Sequence, residues 1–175
     1  LAAKRIAWGK FINAGQTCIA PDYILVHKTV KERFVEELKH HITEFYGSDI
    51  QKSPDFARIT TEKHYRELKE KLEGQTLLFG GSCVDSEKYV APTLVDEPDM
   101  NSKLMEGEIF GPILPIIAYE TEGDLHRYIS NYGKSLAFYL FSTDKKFQKK
   151  LMSQYSFGGG TINDTVIHIS NKRLP

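Results

Sequence analysis

The sequence predicts an α/β protein: a three-layer domain with a mainly parallel sheet and helices on both faces. Two observations carry this. Short β-rich runs alternate with helical stretches of roughly 10–15 residues, and parallel neighbours need such crossovers. No internal repeat, low-complexity segment or linker interrupts the alternation, so residues 1–175 read as a single domain.

The elements follow in order. Leu1 to Ala14 has apolar residues at helical spacing, and Gly15 ends it. Tyr23 to His27 is a short strand. Thr29-Val30-Lys31-Glu32 reads as a capping box, followed by a helix whose stripe is Phe34, Val35, Leu38, Ile42 and Phe45, closed by Gly47. Ser53-Pro54-Asp55 is a loop. Thr61 to Leu72 is a polar surface helix with only Tyr65, Leu68 and Leu72 on its apolar side. Thr76 to Phe79 is a strand that Gly80-Gly81 ends. Tyr89 to Val95 is β-like but holds Pro92, which suggests an edge strand or an extended loop. Ile113 to Tyr119 is a strand. Thr121 to Asp124 is a weaker cap onto a helix that runs through Tyr132. Leu136 to Ser142 is a continuous apolar strand, expected to be buried on both faces. Asp144 to Tyr155 is a basic amphipathic helix. Gly158-Gly159-Gly160 reads as a break, followed by strands Thr161 to Asn163 and Thr165 to Ile169.

Composition excludes several classes. Lys plus Arg and Asp plus Glu both number 23, so no net charge favours nucleic acid or an anionic membrane. The apolar runs are strand-sized, too short to span a bilayer, and no membrane contact is expected from this segment. No leader pattern opens the sequence, and Cys18 and Cys83 read as free thiols in a reducing cytoplasm. No metal site is expected. No Cys-x-x-Cys occurs, and His40 and His41, adjacent on a helix, point roughly 100° apart. Lys145, Lys146, Lys149 and Lys150 read as a solvated face.

Two segments carry chemistry. Asn13-Ala14-Gly15-Gln16-Thr17-Cys18 puts a thiol on a short loop directly after a helix, where it can face a cleft with its own N–H beside it. Glu106-Gly107-Glu108-Ile109-Phe110-Gly111-Pro112 is bracketed by glycines. If it is extended, Glu108 and Phe110 point the same way, presenting a carboxylate and a ring side by side. Taken alone, Cys18 is a small buried residue more often than a nucleophile, Phe110 is ordinary core and Glu108 a surface carboxylate.

Phe11-x-Asn13-x-Gly15-Gln16-x-Cys18 with Ala20-Pro21-Asp22-Tyr23 resembles the active-site segment of aldehyde dehydrogenases, most like the class 3 branch of fatty and aromatic aldehyde enzymes. Glu108 to Pro112 resembles a second signature of that family. Gly159-Gly160-Thr161-Ile162-Asn163-Asp164-Thr165-Val166-Ile167-His168 resembles the late strand region of class 3 members. The resemblance implies that Cys18 attacks an aldehyde carbonyl, that NAD or NADP takes the hydride, and that a Cys18 thioester is hydrolysed to the acid. It implies cofactor-binding roles for Glu108 and Phe110, and a homodimer. Gly-x-Gly-x-x-Gly is absent throughout the sequence, and the family's general base and second oxyanion donor have no match here. With Leu1 inside a helix and Leu174-Pro175 at the end, the chain reads as the catalytic part of a longer polypeptide, inactive alone. Two rival readings compete. One is a cysteine hydrolase drawing on His27, His126 or His168. The other is a non-catalytic assembly module whose late strands pair with a second chain.

Overall fold

The structure, a computed structural model, describes residues 1–170. Its central sheet has four strands in the order β1-β6-β5-β2, where β1 is Ile24–His27, β2 Leu77–Phe79, β5 Thr93–Asp96 and β6 Ile113–Tyr119. β1 and β5 both run parallel to β6, with Ile24 opposite Ile116 and Leu94 opposite Leu114. β2 is antiparallel to β5, so the sheet is mixed. Between β2 and β5 lies a two-stranded antiparallel ribbon of β3 (Cys83–Val84) and β4 (Tyr89–Val90). A separate parallel pair is formed by β7 (Ser135–Leu140) and β8 (Phe157–Ile162).

Helices cover both sides of the strands. α1 (Ala2–Phe11) and α2 (Lys31–Tyr46) pack on each other; α1 buries Ala3, Ile6, Ala7, Lys10 and Phe11, and α2 buries Val35, Leu38 and Ile42. α3 (Glu62–Leu72) buries Tyr65 and Leu68 toward the same core. α4 (Glu122–Asn131) and α5 (Lys145–Gln154) contribute Leu125 and Leu151, which meet Leu140 of β7 in a second, smaller cluster. At about 25 cal/mol per Å² of buried apolar surface, the large cluster dominates the folding free energy.

Local departures from the sequence reading have physical causes. α1 stops at Phe11, and Asn13 and Ala14 take positive φ (52° and 51°), so the chain leaves the helix by a left-handed kink rather than at Gly15. The Thr29 capping box does not form. α2 starts at Lys31, and the His27 ring accepts the Thr29 N–H that begins a preceding 3-10 turn. The Thr121 cap is the full box, with Thr121 accepting from Asp124 N–H and the Asp124 carboxylate accepting from Thr121 N–H. Pro92 splits Tyr89 to Val95 into two strands, and the second of them, β5, is central.

The largest differences lie late in the chain. β7 is half-exposed, with Leu136 open to solvent, because among the described residues only β8 pairs with it. The triple glycine is no break: Gly159 and Gly160 pair with Ala137 and Phe138 inside β8. A Cβ at Gly159 would lie 2.5 Å from the His168 ring, so the bare backbone lets the following segment fold over it. Thr165 to Ile169 is not a strand. Val166 takes φ 64°, and Ile167–Ser170 is a 3-10 turn.

Candidate active site around Cys18

The loop that carries Cys18 is pinned at both ends by side chains. At its start Gln16, almost fully buried, donates from Nε2 to the carbonyls of Asn13 (3.0 Å) and Arg58 (3.1 Å). Its Oε1 accepts from Thr60 N–H (3.0 Å). At its end the Asp22 carboxylate accepts from Ile109 N–H (3.0 Å). Between these anchors Thr17 to Ala20 forms a turn, closed by Ala20 N–H donating to Thr17 carbonyl (2.9 Å). Cys18 sits on that turn, exposed, with a free thiol, while its neighbour Ile19 is buried. No backbone carbonyl accepts the Cys18 N–H among the described residues, which leaves that donor beside the sulfur.

The second segment meets this loop directly. Gly15 (φ 72°) lies so close to Gly111 that a Cβ there would stand 2.2 Å from the Gly111 carbonyl oxygen. The intervening contact is the Asp22–Ile109 bond. Ile109 is buried while Glu108 and Phe110 are exposed on either side of it, so the alternation expected from the sequence is present. The backbone is not extended throughout, because Phe110 has φ 50°. His64 Nε2 donates to the Phe110 carbonyl (2.8 Å), and its ring stands 6.0 Å from the Phe110 ring. Lys71 donates to the carbonyls of Lys103 (2.7 Å) and Glu106 (3.0 Å), strapping the approach to the segment.

Lys10 lies beneath both segments, 1% exposed. Burial pushes its ammonium down to about 8, against the opposing pull of Asp22 and Glu108. The Glu108 carboxyl is raised by desolvation and by the neighbouring Asp22, while Lys10 and His64 act the other way. Tyr139 of β7 reaches the turn from the small sheet, its hydroxyl donating to the Ile19 carbonyl (2.7 Å). Burial, with a smaller contribution from Cys18, raises its phenol to about 12.

Sequence reasoning singles out Cys18, Glu108 and Phe110 as candidates, and the folded chain brings their segments into contact through Gly15, Gly111, Asp22 and Ile109. It missed Lys10, His64, Lys71 and Tyr139. A signal existed for two of them. His64, Leu68 and Lys71 fall at i, i+4 and i+7, on the helix face that packs Leu68 against Gly111. Nothing in the sequence marks Tyr139, whose bond spans 120 positions. Cys83 sits in β3, partly buried, and burial raises its thiol pKa. Two surface hollows, one around Lys28, Glu120 and Arg127 and one around Phe79, Tyr89 and Pro92, include none of the three predicted residues.

Two histidines of the hydrolase reading are engaged elsewhere: His27 pairs with Thr29 (2.8 Å), and His126 lies 3.4 Å from Ser130 and Tyr155. His168 packs 5.8 Å from the Tyr139 ring, on the side of Tyr139 that serves the Cys18 turn, and its buried Nδ1 has no partner among the described residues. His40 and His41 are closer than their backbone directions suggest: with Glu44 their ligand atoms all lie within 4.8 Å of one another. Side-chain reach overcomes the splay of adjacent helical positions. The Glu44 carboxylate is already shared by Lys4 (2.9 Å) and His41 (2.6 Å). No helix of the described residues is long and apolar enough to cross a membrane.

The chain is similar to known proteins over its whole length. The model of the aldehyde dehydrogenase family matches residues 1–174. The chain is 46% identical to 4,4'-diaponeurosporen-aldehyde dehydrogenase of Staphylococcus aureus, an alignment covering 100% of this chain and 39% of that protein. It is 43% identical to a Bos taurus protein called aldehyde dehydrogenase, dimeric NADP-preferring, over 100% of this chain and 73% of that one. It is 42% identical to Rattus norvegicus aldehyde dehydrogenase family 3 member A2, over 100% of this chain and 36% of that protein. Among solved structures, the substrate-bound state of Staphylococcus aureus AldH superposes with a TM-score of 0.96 at 45% identity, covering 99% of this chain and 38% of that chain. A Mycobacterium tuberculosis aldehyde dehydrogenase complexed with NAD+ superposes at 0.81 with 24% identity, covering 94% and 36%; that likeness is one of fold. The chain thus spans under two fifths of the Staphylococcus and rat relatives.

Proposed function

The chain belongs to the aldehyde dehydrogenase family, and from that premise we propose that it supplies the nucleophile of an NAD- or NADP-dependent oxidation of an aldehyde to a carboxylic acid. The observation that carries this reading is the exposed Cys18 thiol on a loop whose two ends, at Gly15 and Asp22, contact the segment that bears Glu108 and Phe110.

The chemistry follows from what these residues can do. The Cys18 thiolate forms a C–S bond to the carbonyl carbon, and negative charge moves to the carbonyl oxygen. The free Cys18 N–H is a donor for that oxyanion, worth most where water is excluded. When bound, the nicotinamide supplies the hydride acceptor that takes the carbon to the thioester level. Water then cleaves the thioester to release the acid, and the thiolate returns.

The residues present fit one end of such a cofactor. Glu108 projects a carboxylate able to accept from ribose hydroxyls, and Phe110 presents a ring that can confine a planar group. Buried Ile109 and the bonds from Asp22 and His64 fix the main chain that holds them. No Gly-x-Gly-x-x-Gly stands in the sequence to cradle the pyrophosphate. The 175-residue chain alone is therefore expected not to turn over aldehyde with NAD.

The reading extends to the setting. The class 3 resemblance favours fatty or aromatic aldehydes, two free thiols suit a cytoplasmic protein, and the bovine relative's name supports a homodimer. The test is selective labelling. Iodoacetamide is expected to alkylate Cys18 ahead of Cys83, whose thiol is partly buried and raised in pKa. In a protein completed by a relative's cofactor-binding part, Cys18→Ser abolishes aldehyde oxidation. Full turnover by that Cys18→Ser variant overturns the reading.

A further inference from the structure

We propose that Tyr139 is a positioning residue that sets the orientation of the Cys18 turn through a single hydrogen bond. The inference rests on Cys18 being the nucleophile, and it adds a residue that lies 121 positions away by number.

The argument starts from how the loop is tied down. Gln16 anchors its start to the Arg58–Thr60 backbone, and Asp22 anchors its end to Ile109. The middle is a turn whose closing peptide lies between Ile19 and Ala20. The N–H of that peptide is spent inside the turn, on the Thr17 carbonyl at 2.9 Å. Its carbonyl faces away and accepts from Tyr139 Oη at 2.7 Å. Both sides of one peptide plane are thereby fixed, and that plane follows Cys18 by one residue. Rotating it would swing Cys18 and cost both bonds.

Tyr139 is itself well placed to act as a fixed post. Its backbone pairs with Thr161 of β8. Its ring lies 5.8 Å from that of His168, and its phenol sits against the Val166 backbone. Val166 and Thr165 in turn pack on Gly9 of α1, where a Cβ would clash with Thr165 Oγ1 at 2.3 Å, and Thr165 donates to the Arg5 carbonyl (2.8 Å). The helix that precedes Cys18 and the strand that follows it by more than a hundred residues are thus joined around one phenol. Tyr155, on the same small module, points its hydroxyl at His126 and makes a control.

The test compares Tyr139→Phe and Tyr155→Phe with the parent chain. Amide hydrogen exchange at Ala20 reports the turn, exchange at Leu140 reports the small sheet, and alkylation of Cys18 is read against Cys83 across pH. Losing one neutral hydrogen bond is expected to speed Ala20 exchange about two- to tenfold in Tyr139→Phe. Cys18 alkylation shifts relative to Cys83, while Leu140 exchange and the Tyr155→Phe variant stay at parent values. Unchanged Ala20 exchange and unchanged Cys18 reactivity overturn the proposal. So does equal loosening of Ala20 and Leu140, which makes Tyr139 a general prop for the fold. If the parent labels Cys83 first, the nucleophile reading fails, yet the exchange measurement still decides whether the clamp exists.

Discussion

Ile113–Tyr119 and Leu136–Phe141 look alike as sequence: both are uninterrupted apolar runs of strand length. In the fold they part company. β6 lies between β1 and β5 and its first five residues are buried; β7 has one partner among the described residues and leaves Leu136 in solvent. The difference teaches that an apolar run specifies a strand, while the number of neighbours on each side decides its burial. It also divides the molecule into a large core that fixes the two ends of the Cys18 loop and a small β7–β8 module that touches its middle.

The contrast can be broken most directly by truncation. Leu114→Ala, in the centre of the large core, is expected to cost about 2–5 kcal/mol in chemical denaturation, and Leu136→Ala under about 0.5 kcal/mol. Equal losses would remove the distinction between the regions. Next comes the seam between the two motifs. Gly15→Ala puts a methyl onto the Gly111 carbonyl at positive φ and is expected to cost about 2–4 kcal/mol, whereas Gly107→Ala, with open space around it, costs about 1 kcal/mol for the left-handed backbone.

Charge sharpens the same comparison. With Lys10 lowered from 10.5 to about 8 in the fold, the unfolded chain binds more protons between those values, so its contribution makes stability rise as pH climbs through that window. Lys10→Met is expected to abolish that rise and to add about 1–3 kcal/mol at pH 7. Lys149→Met, on the exposed face of α5, should change neither by more than about 0.5 kcal/mol. The smallest effect concerns caps. Thr121→Ala is expected to cost about 1 kcal/mol, and Thr29→Ala less, since only Thr121 caps its helix. Thermal unfolding of the pair measures the difference.

Much of this protein is legible in its sequence. The 3.6-residue stripes Val35, Leu38 and Ile42, and Tyr65 with Leu68, are the buried faces of their helices, and the run at Ile113 is the central strand. The motif pair around Cys18 and Glu108 stands out through its family resemblance, which is carried by residue types and spacings along the chain, both local properties. The Thr29 box misled because His27, one turn earlier, competes for the same N–H, and a pattern of residue types carries no information about which acceptor wins. The triple glycine misled because it serves close packing of His168 on β8 rather than a turn.

What the sequence settled alone was the alternation of elements, the core faces, a cysteine on a loop and, separately, a glycine-bracketed carboxylate and ring. Only the tertiary structure decided that Gly15 abuts Gly111, that Lys10 is buried between Asp22 and Glu108, and that Tyr139 holds the Ile19 carbonyl. The reason is range. Helical and strand periodicities arise within a few bonds of each residue, whereas Gly15–Gly111, Lys10–Glu108 and Ile19–Tyr139 join residues 96, 98 and 120 positions apart, and exist only once hydrophobic burial has brought the layers together.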